Sequence, residues 1–237
     1  MNKYLIIIPT YNEIENISLI LKKIIELESK FDVLVVDDNS PDGTSDEVLE
    51  FNLKYSNINL LKRKNKNGLG SAYIAGFKWA LKNNYDYIMQ IDADLSHNPH
   101  DLLKLKENSC NYDLVIGSRY IKGISIVNWP LSRLILSYFA NLYARVIIGI
   151  PIKDVTGGFK CISTNILRNI NLNNIKSEGY SFQIELNYLA WINNYKIAEI
   201  PIIFTDRSHG SSKMSKSVIF EAIYMVPYLM IKKIFKL

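Results

Sequence analysis

The sequence predicts an α/β fold: a mostly parallel sheet flanked by helices. Two observations carry that expectation. Between residues 4 and 118, short apolar runs alternate with amphipathic helical patterns, the signature of successive βαβ units. The polar clusters also fall where such a sheet uses them. Asp37-Asp38, Asp92-Ala93-Asp94 and Gly117-Ser118-Arg119 lie at the ends of apolar runs, and ligands of open α/β sheets gather beyond the strand carboxyl ends.

The elements follow in order. Residues 4–8 read as a buried strand stopped by Pro9. Residues 14–28 read as an amphipathic helix with Ile17, Leu21, Ile24 and Ile25 on its apolar face. A second strand, 31–36, leads into Asp37-Asp38. Residues 45–55 read as a helix with Ser45 as N-cap ahead of Asp46 and Glu47. Residues 58–61 form a third strand, 71–83 a helix, 87–91 a fourth strand and 113–117 a fifth. Beyond 120 the pattern changes. Residues 131–148 read as a helix capped by Asn128, with Arg133, Ser137, Asn141 and Arg145 at intervals of four. That spacing makes one polar stripe down an otherwise apolar cylinder. A helix at 180–193, a strand at 197–204 and an amphipathic segment at 216–236, interrupted by Pro227, complete the chain.

The 237 residues are 48% hydrophobic and 22% charged, enough to bury a substantial core in one domain and far from disordered or collagen-like composition. Cys110 and Cys161 lack a metal-type CxxC spacing and suit a reducing compartment. The first apolar run is too short for a signal-peptide core, and no uncharged run reaches the ~18–20 residues of a membrane span. The net charge of +5 is uneven: residues 119–160 carry six basic side chains against one acidic, and 206–237 carry six against two. Long aliphatic runs interrupt both basic segments, a mixture that fits an anionic membrane surface or lipid and argues against nucleic acid.

The chemistry points to phosphates. Carboxylates gathered at neighbouring strand ends repel one another unless a cation lies between them. A hard divalent ion bridging to phosphate oxygens is the usual resolution. Gly68-Leu69-Gly70 opens a helix but is no dinucleotide fingerprint, because the position of the third glycine is Tyr73. It reads as a turn feature, and no P-loop is present. His97, His100 and His209 lack zinc-site spacing. Arg119, Arg207 and Lys213 follow strand ends and suit phosphate binding, although an arginine beside a carboxylate, as in Asp206-Arg207, equally suits a structural ion pair.

Several motifs occur in order: Pro9-Thr10-Tyr11-Asn12-Glu13, Asp37-Asp38-Asn39-Ser40-Pro41-Asp42-Gly43-Thr44, Gly68-Leu69-Gly70-Ser71-Ala72-Tyr73 and Asp92-Ala93-Asp94-Leu95-Ser96-His97. They continue with Gly117-Ser118-Arg119-Tyr120, Trp129-Pro130 with Arg133, Asp154-Val155-Thr156-Gly157-Gly158-Phe159, Gly179-Tyr180-Ser181-Phe182-Gln183, and Asp206-Arg207 with Gly210 and Lys213. With these the chain strongly resembles the dolichol-phosphate (polyprenol-phosphate) mannose synthases, inverting family 2 glycosyltransferases of GT-A fold. The resemblance runs from residue 4 to about 213.

The resemblance implies a single domain over 1–237: a nucleotide-sugar half (1–118), an acceptor half (119–215) and an amphipathic tail at the membrane interface (216–237). It implies that Pro9, Tyr11, Glu13, Val36, Asp38, Asp92 and Ala93 hold the guanosine nucleotide of GDP-mannose. Asp94 is similar to the carboxylate that binds Mg²⁺ or Mn²⁺ on the donor diphosphate, with Ser96 at the position of a further ligand. Arg119, Arg133 and Ser137 match residues that bind the phosphate of a polyprenyl or dolichyl phosphate. Arg207 and Lys213 match phosphate-binding residues of a mobile loop. Lys160 departs from the arginine common after Gly-Phe in the family. The implied enzyme lies peripherally on the cytoplasmic face of a membrane and needs no dedicated catalytic base, because a phosphate monoester is already anionic near pH 7. The nearest rival is a polyprenyl-phosphate glucose synthase using UDP-glucose. A non-catalytic derivative of the fold fits poorly with intact Asp92, Asp94, Arg207 and Lys213.

Overall fold

Strand β1 (Tyr4–Thr10) has parallel partners on both sides, β2 (Asp32–Asp37) and β4 (Tyr87–Gln90), in the computed structural model, which describes residues 2–175, 177–206 and 216–235. Together with β3 (Ile58–Lys62), β5 (Leu114–Ser118), β7 (Lys160–Ser163) and β8 (Ile197–Pro201) they make a seven-stranded sheet of order β3-β2-β1-β4-β7-β5-β8. Only β7 among these strands runs antiparallel to its neighbours.

The continuous apolar runs reflect burial on both faces. Leu5 and Ile7 of β1 join a core with Tyr73 and Phe77 of α3 (Leu69–Lys82) and Phe182 of α7 (Gly179–Ile192). Ile6 and Ile8 join a second core with Ile17, Ile20 and Leu21 of α1 (Ile14–Ile25). α1 thus stops three residues before the end of its expected segment. α2 (Thr44–Lys54) is capped by Gly43, at φ 91°, and not by Ser45, whose hydroxyl donates to Asp37 instead. The acceptor for the Thr44 N–H is Asp42, at 3.0 Å, and the same carboxylate takes the Ile14 N–H at 3.1 Å.

Five elements escape sequence reading because they are short or broken: α4 (Asp101–Asn108), the two-residue β6 (Ile126–Val127), β7, α6 (Thr164–Asn169) and a 3-10 turn at Leu172–Asn174. The single strand expected at 197–204 is two. β8 ends at Pro201, the chain turns away, and β9 (Phe204–Thr205) pairs with β6 in a separate two-stranded sheet.

Helix α5 (Leu131–Ile148) has the predicted bounds but a different start, since Pro130 is its N-cap and Asn128 lies before it at φ 64°. The stripe of polar residues turns inward. Asn141 is buried and bonds Thr156 at 3.2 Å, Ser137 accepts from the Tyr120 hydroxyl at 2.8 Å, and Arg133 reaches Asp206 at 2.9 Å. Leu131, Ile135, Tyr138, Phe139, Leu142 and Val146 are exposed, so α5 presents its apolar face outward. By length and composition α5 also passes as a candidate membrane span. In α8 (Lys216–Phe235), Val226 and Leu229 are buried in the core, while Ile223, Tyr224, Tyr228 and Ile231 face out.

Lys160 occupies the first position of β7, fully buried, with its ammonium donating to Asn187 Oδ1 at 2.7 Å. Burial pushes its pKa down to about 7, against the opposing attraction of Asp154. The unfolded chain therefore binds more protons at this residue between pH 7 and 10.5, and its contribution to stability rises with pH across that window. We expect wild type to gain on the order of 3 kcal/mol over Lys160→Met between pH 7 and about 9.5, measured by chemical denaturation. Parallel pH profiles for the two proteins would contradict the burial of a titrating amine.

Candidate active site

Where β1, β2 and β4 end, the structure opens a cavity of about 410 Å³. Its lining includes Pro9, Tyr11, Glu13 and Asp38; Asp92, Ala93 and Asp94, just beyond the end of β4, which serve as its floor; and Arg133, Thr156, Gly158, Tyr180 and Gln183. Parallel pairing produces this gathering: β1 carries β2 on one side and β4 on the other, so both acidic strand ends meet at one edge.

The four aspartates divide the work. Asp37 is fully buried and turned away from the cavity. It accepts from Thr10 Oγ1 at 2.8 Å, Ser40 N at 2.9 Å, Ser40 Oγ at 2.5 Å and Ser45 Oγ at 2.7 Å, which ties the end of β1 to the 38–43 loop and α2. Asp38 lines the cavity with its carboxylate held by Arg63 at 2.7 Å and by the Asn67 N–H at 3.1 Å. Asp94 is buried on the floor and accepts from the Ser96 N–H at 3.1 Å. Behind the floor, burial and then the charges of Asp92 and Asp94 push the Tyr73 hydroxyl pKa well above its ordinary value. Val36 is buried inside β2, and neither it nor Ser96 lines the cavity.

Among the described residues, no group of three or more His, Cys, Asp and Glu could enclose an ion. Mg²⁺ nevertheless takes one or two carboxylates and completes its shell with substrate oxygens and water. Asp92 and Asp94 on a cavity floor fit an ion that arrives with a diphosphate.

The glycine pair acquires a physical reason. A Cβ on Gly68, at φ 91°, would lie 2.4 Å from Glu178 Oε2, and one on Gly70 would lie 2.5 Å from the Ser177 carbonyl. This closeness lets the Glu178 carboxylate accept the Gly70 N–H at 2.8 Å and the Ser71 N–H at 3.3 Å, filling the positive end of α3 from 108 residues away in sequence. Burial raises the Glu178 pKa, with these two N–H donors opposing. Sequence reasoning missed Glu178, Lys66, Thr156, Tyr180 and Gln183 as cavity residues. Lys66 sits 3.8 Å from the Tyr11 ring centroid. The signals available were the two glycines for Glu178 and, for Tyr180 and Gln183, a motif to which no role had been attached.

The expected phosphate-binding residues separate. Arg119 is buried and clasped by Asp154, with Nε at 2.7 Å and Nη2 at 2.6 Å, and Nη2 also donates to Thr156 at 2.9 Å. Burial disfavours its charge, but attraction and hydrogen bonding to Asp154 outweigh this and raise its pKa. It does not line the cavity, and it makes an ion pair with Asp154. Ser137 is half-buried beside Tyr120 and also lies outside the lining. Arg133 does line the cavity, stacked 4.1 Å from the Trp129 ring centroid and paired with Asp206. Arg207 and Lys213 lie outside the described residues.

Residues 5–170 match the family described as Glycosyl transferase family 2. The chain is 43% identical over 224 residues to an undecaprenyl-phosphate mannosyltransferase of Micrococcus luteus, covering 94% of this chain and 92% of that one. It is likewise 43% identical over 224 residues to a polyprenol monophosphomannose synthase of Mycolicibacterium smegmatis, covering 94% and 84%. Among solved structures it resembles glucosyl-3-phosphoglycerate synthase of Mycobacterium tuberculosis. The complex with Mn²⁺, UDP and glucosyl-3-phosphoglycerate gives a TM-score of 0.67 at 17% identity, over 99% of this chain and 79% of that one. The complex with phosphoglyceric acid gives 0.71 at 17% identity, over 95% and 80%. A fold shared at that TM-score, a family match over most of the length and relatives of this identity place the chain in glycosyltransferase family 2, with the GT-A fold.

Proposed function

We propose that this enzyme transfers mannose from GDP-mannose to a polyprenyl (dolichyl-type) phosphate with inversion, bound peripherally at the cytoplasmic face of a membrane. One observation carries the reading. The cavity that holds the residues assigned to the nucleotide also holds Arg133, and Arg133 is delivered by α5, whose outer face is apolar. An acceptor with a phosphate head and a hydrocarbon tail matches that pairing of charge and grease. The names of the two 43%-identical relatives support the same acceptor and sugar.

In this reading Tyr11, Glu13 and Asp38 hold the nucleoside, and Asp94, with Asp92 beside it, holds Mg²⁺ or Mn²⁺ against the diphosphate. The ion, when bound, neutralises charge on the leaving diphosphate. Arg207 and Lys213, outside the described residues, add to that neutralisation. Arg133 exchanges its Asp206 carboxylate for the acceptor phosphate and brings an anionic oxygen towards the anomeric carbon. The acceptor oxygen bonds that carbon from the face opposite the diphosphate, whose C–O bond breaks and takes the electron pair with it. The nucleophile is already ionised, so alignment and charge stabilisation replace a general base. Arg119 contributes indirectly by fixing Asp154 and, in the cavity lining, Thr156.

Membrane contact follows from the same surface. The exposed apolar residues of α5 and α8 form the outward faces of two packed helices, and lysines 232 and 233 lie at the end of α8. α5 offers the more extensive exposed apolar face, whereas part of α8 is core.

Asp94→Ala is expected to lower GDP-mannose-dependent transfer about 10³-fold, a loss of several kcal/mol. Near-normal turnover in a radiolabel transfer assay would remove Asp94 from its role. Arg133→Ala should raise the KM for lipid phosphate about tenfold or more while GDP binding holds; equal losses in both would count against an acceptor role. Stabilisation by UDP but not GDP, in thermal shift with and without Mn²⁺, would favour the UDP-glucose alternative. For the membrane, Phe139→Glu with Val146→Glu should abolish most liposome flotation without lowering Tm, since both sites are exposed. Undiminished flotation would show that α5 is not the anchor.

A further inference from the structure

Gln183 stands in the first turns of α7 with 2% of its surface exposed, and it lines the cavity. Neither its amide oxygen nor its amide nitrogen has a hydrogen-bond partner among the described residues. Packing does not call for an amide there. Its neighbours Phe182, Ile184 and Leu186 are all buried in the apolar core, and an apolar side chain of similar volume would spare the cost of an unpaired polar group. Burial alone is not the distinguishing feature, because Gln90 is also buried without a partner but does not reach the cavity. What sets Gln183 apart is that it belongs to the cavity lining while its amide stays buried and unpaired. The residue facing it is Gly158, where even a Cβ would touch Gln183 Nε2 at 3.5 Å.

The chemistry of an amide narrows the ligand. It both donates and accepts, which matches a neutral hydroxyl. Phosphate oxygens only accept, and the cavity meets them with Arg133 and a metal-binding floor. Gln183 lines the same cavity as Asp92 and Asp94 and as Tyr11 and Glu13, the residues proposed to hold the nucleoside. We infer that Gln183 is a specificity-determining residue that reads hydroxyl groups of the transferred hexose. This rests on the proposed reaction for its setting, in which the hexose lies over the floor between nucleotide and acceptor.

The experiment compares wild type, Gln183→Leu and Gln183→Glu in three measurements: thermal unfolding of the ligand-free protein, affinity for GDP, and affinity and kcat/KM for GDP-mannose and its monodeoxy analogues. Gln183→Leu is expected to unfold at the same or a higher temperature, to bind GDP within twofold of wild type, and to lose at least about 100-fold in kcat/KM for GDP-mannose. That penalty should shrink below tenfold for the deoxy donor lacking the hydroxyl that Gln183 contacts. Gln183→Glu, which keeps an acceptor, should retain part of the activity. A fall in Tm together with weaker GDP binding would make Gln183 a structural residue and overturn the inference. So would unchanged kcat/KM, or an equal penalty on every deoxy donor. Transfer by wild type to polyprenyl phosphate is scored separately, and its absence counts against the proposed reaction. The sugar-dependent part of donor binding, GDP-mannose against GDP, still decides the role of Gln183.

Discussion

The site depends on the parallel pairing of β1 with both β2 and β4. In register, Thr10 stands beside Asp37 and Ile7 beside Gln90, so the chain emerges from three adjacent strands at one edge and brings four aspartates with it. Crowding that much negative charge is unfavourable unless each carboxylate is treated differently. Asp37 accepts four hydrogen bonds from neutral donors and becomes the clamp of the edge. Asp38 is balanced by Arg63, which also donates to Ser71 at the start of α3. The Glu178 carboxylate takes the positive end of α3 itself. Asp92 and Asp94 line the cavity floor, the position that the proposed function gives to a divalent cation.

Helix α5 inverts the usual arrangement of an amphipathic helix, and the inversion explains how one element serves two solvents. Its polar stripe is consumed inside the protein by Asp206, Tyr120 and Thr156, so the side chains suited to water do not meet it. Its apolar residues are left outward, an unfavourable exposure of ordered hydrocarbon in water that a lipid interface removes. The stripe looks from sequence like a row of headgroup contacts. In the structure only Arg133 reaches the cavity, while Ser137 and Asn141 hold the helix to the domain.

What the sequence made legible follows from how locally each feature is determined. Strands buried on both faces appear as unbroken apolar runs, and β1 and β2 are read to within two residues. β7 does not, because Lys160 breaks the pattern and is tolerated only through Asn187 on α7, a contact across the fold. Ser45 resembles an N-cap, yet its hydroxyl is claimed by Asp37, a competition that residue type alone does not resolve. In the site, a D-x-D at a strand end is self-announcing. Glu178 is not: its partner amides lie 107 and 108 residues earlier, and the only local trace is two glycines that must lack side chains. Arg119 was legible as important but not as buried, since Asp154 is recognisable as its partner only when β5 and the 154–158 turn are seen together.

The short strand β9 links parts of the site that the sequence keeps far apart. The Thr205 N–H donates to the Ser96 carbonyl, two residues beyond Asp94, and the Asp206 N–H donates to Val127, just ahead of α5. The Asp206 carboxylate then reaches Arg133 on that helix, and the next residue is Arg207. Thr205 and Asp206, consecutive in sequence, thus tie the segment after Asp94, the entry to α5 and Arg133 on that helix to one another, contacts that only the folded chain brings together.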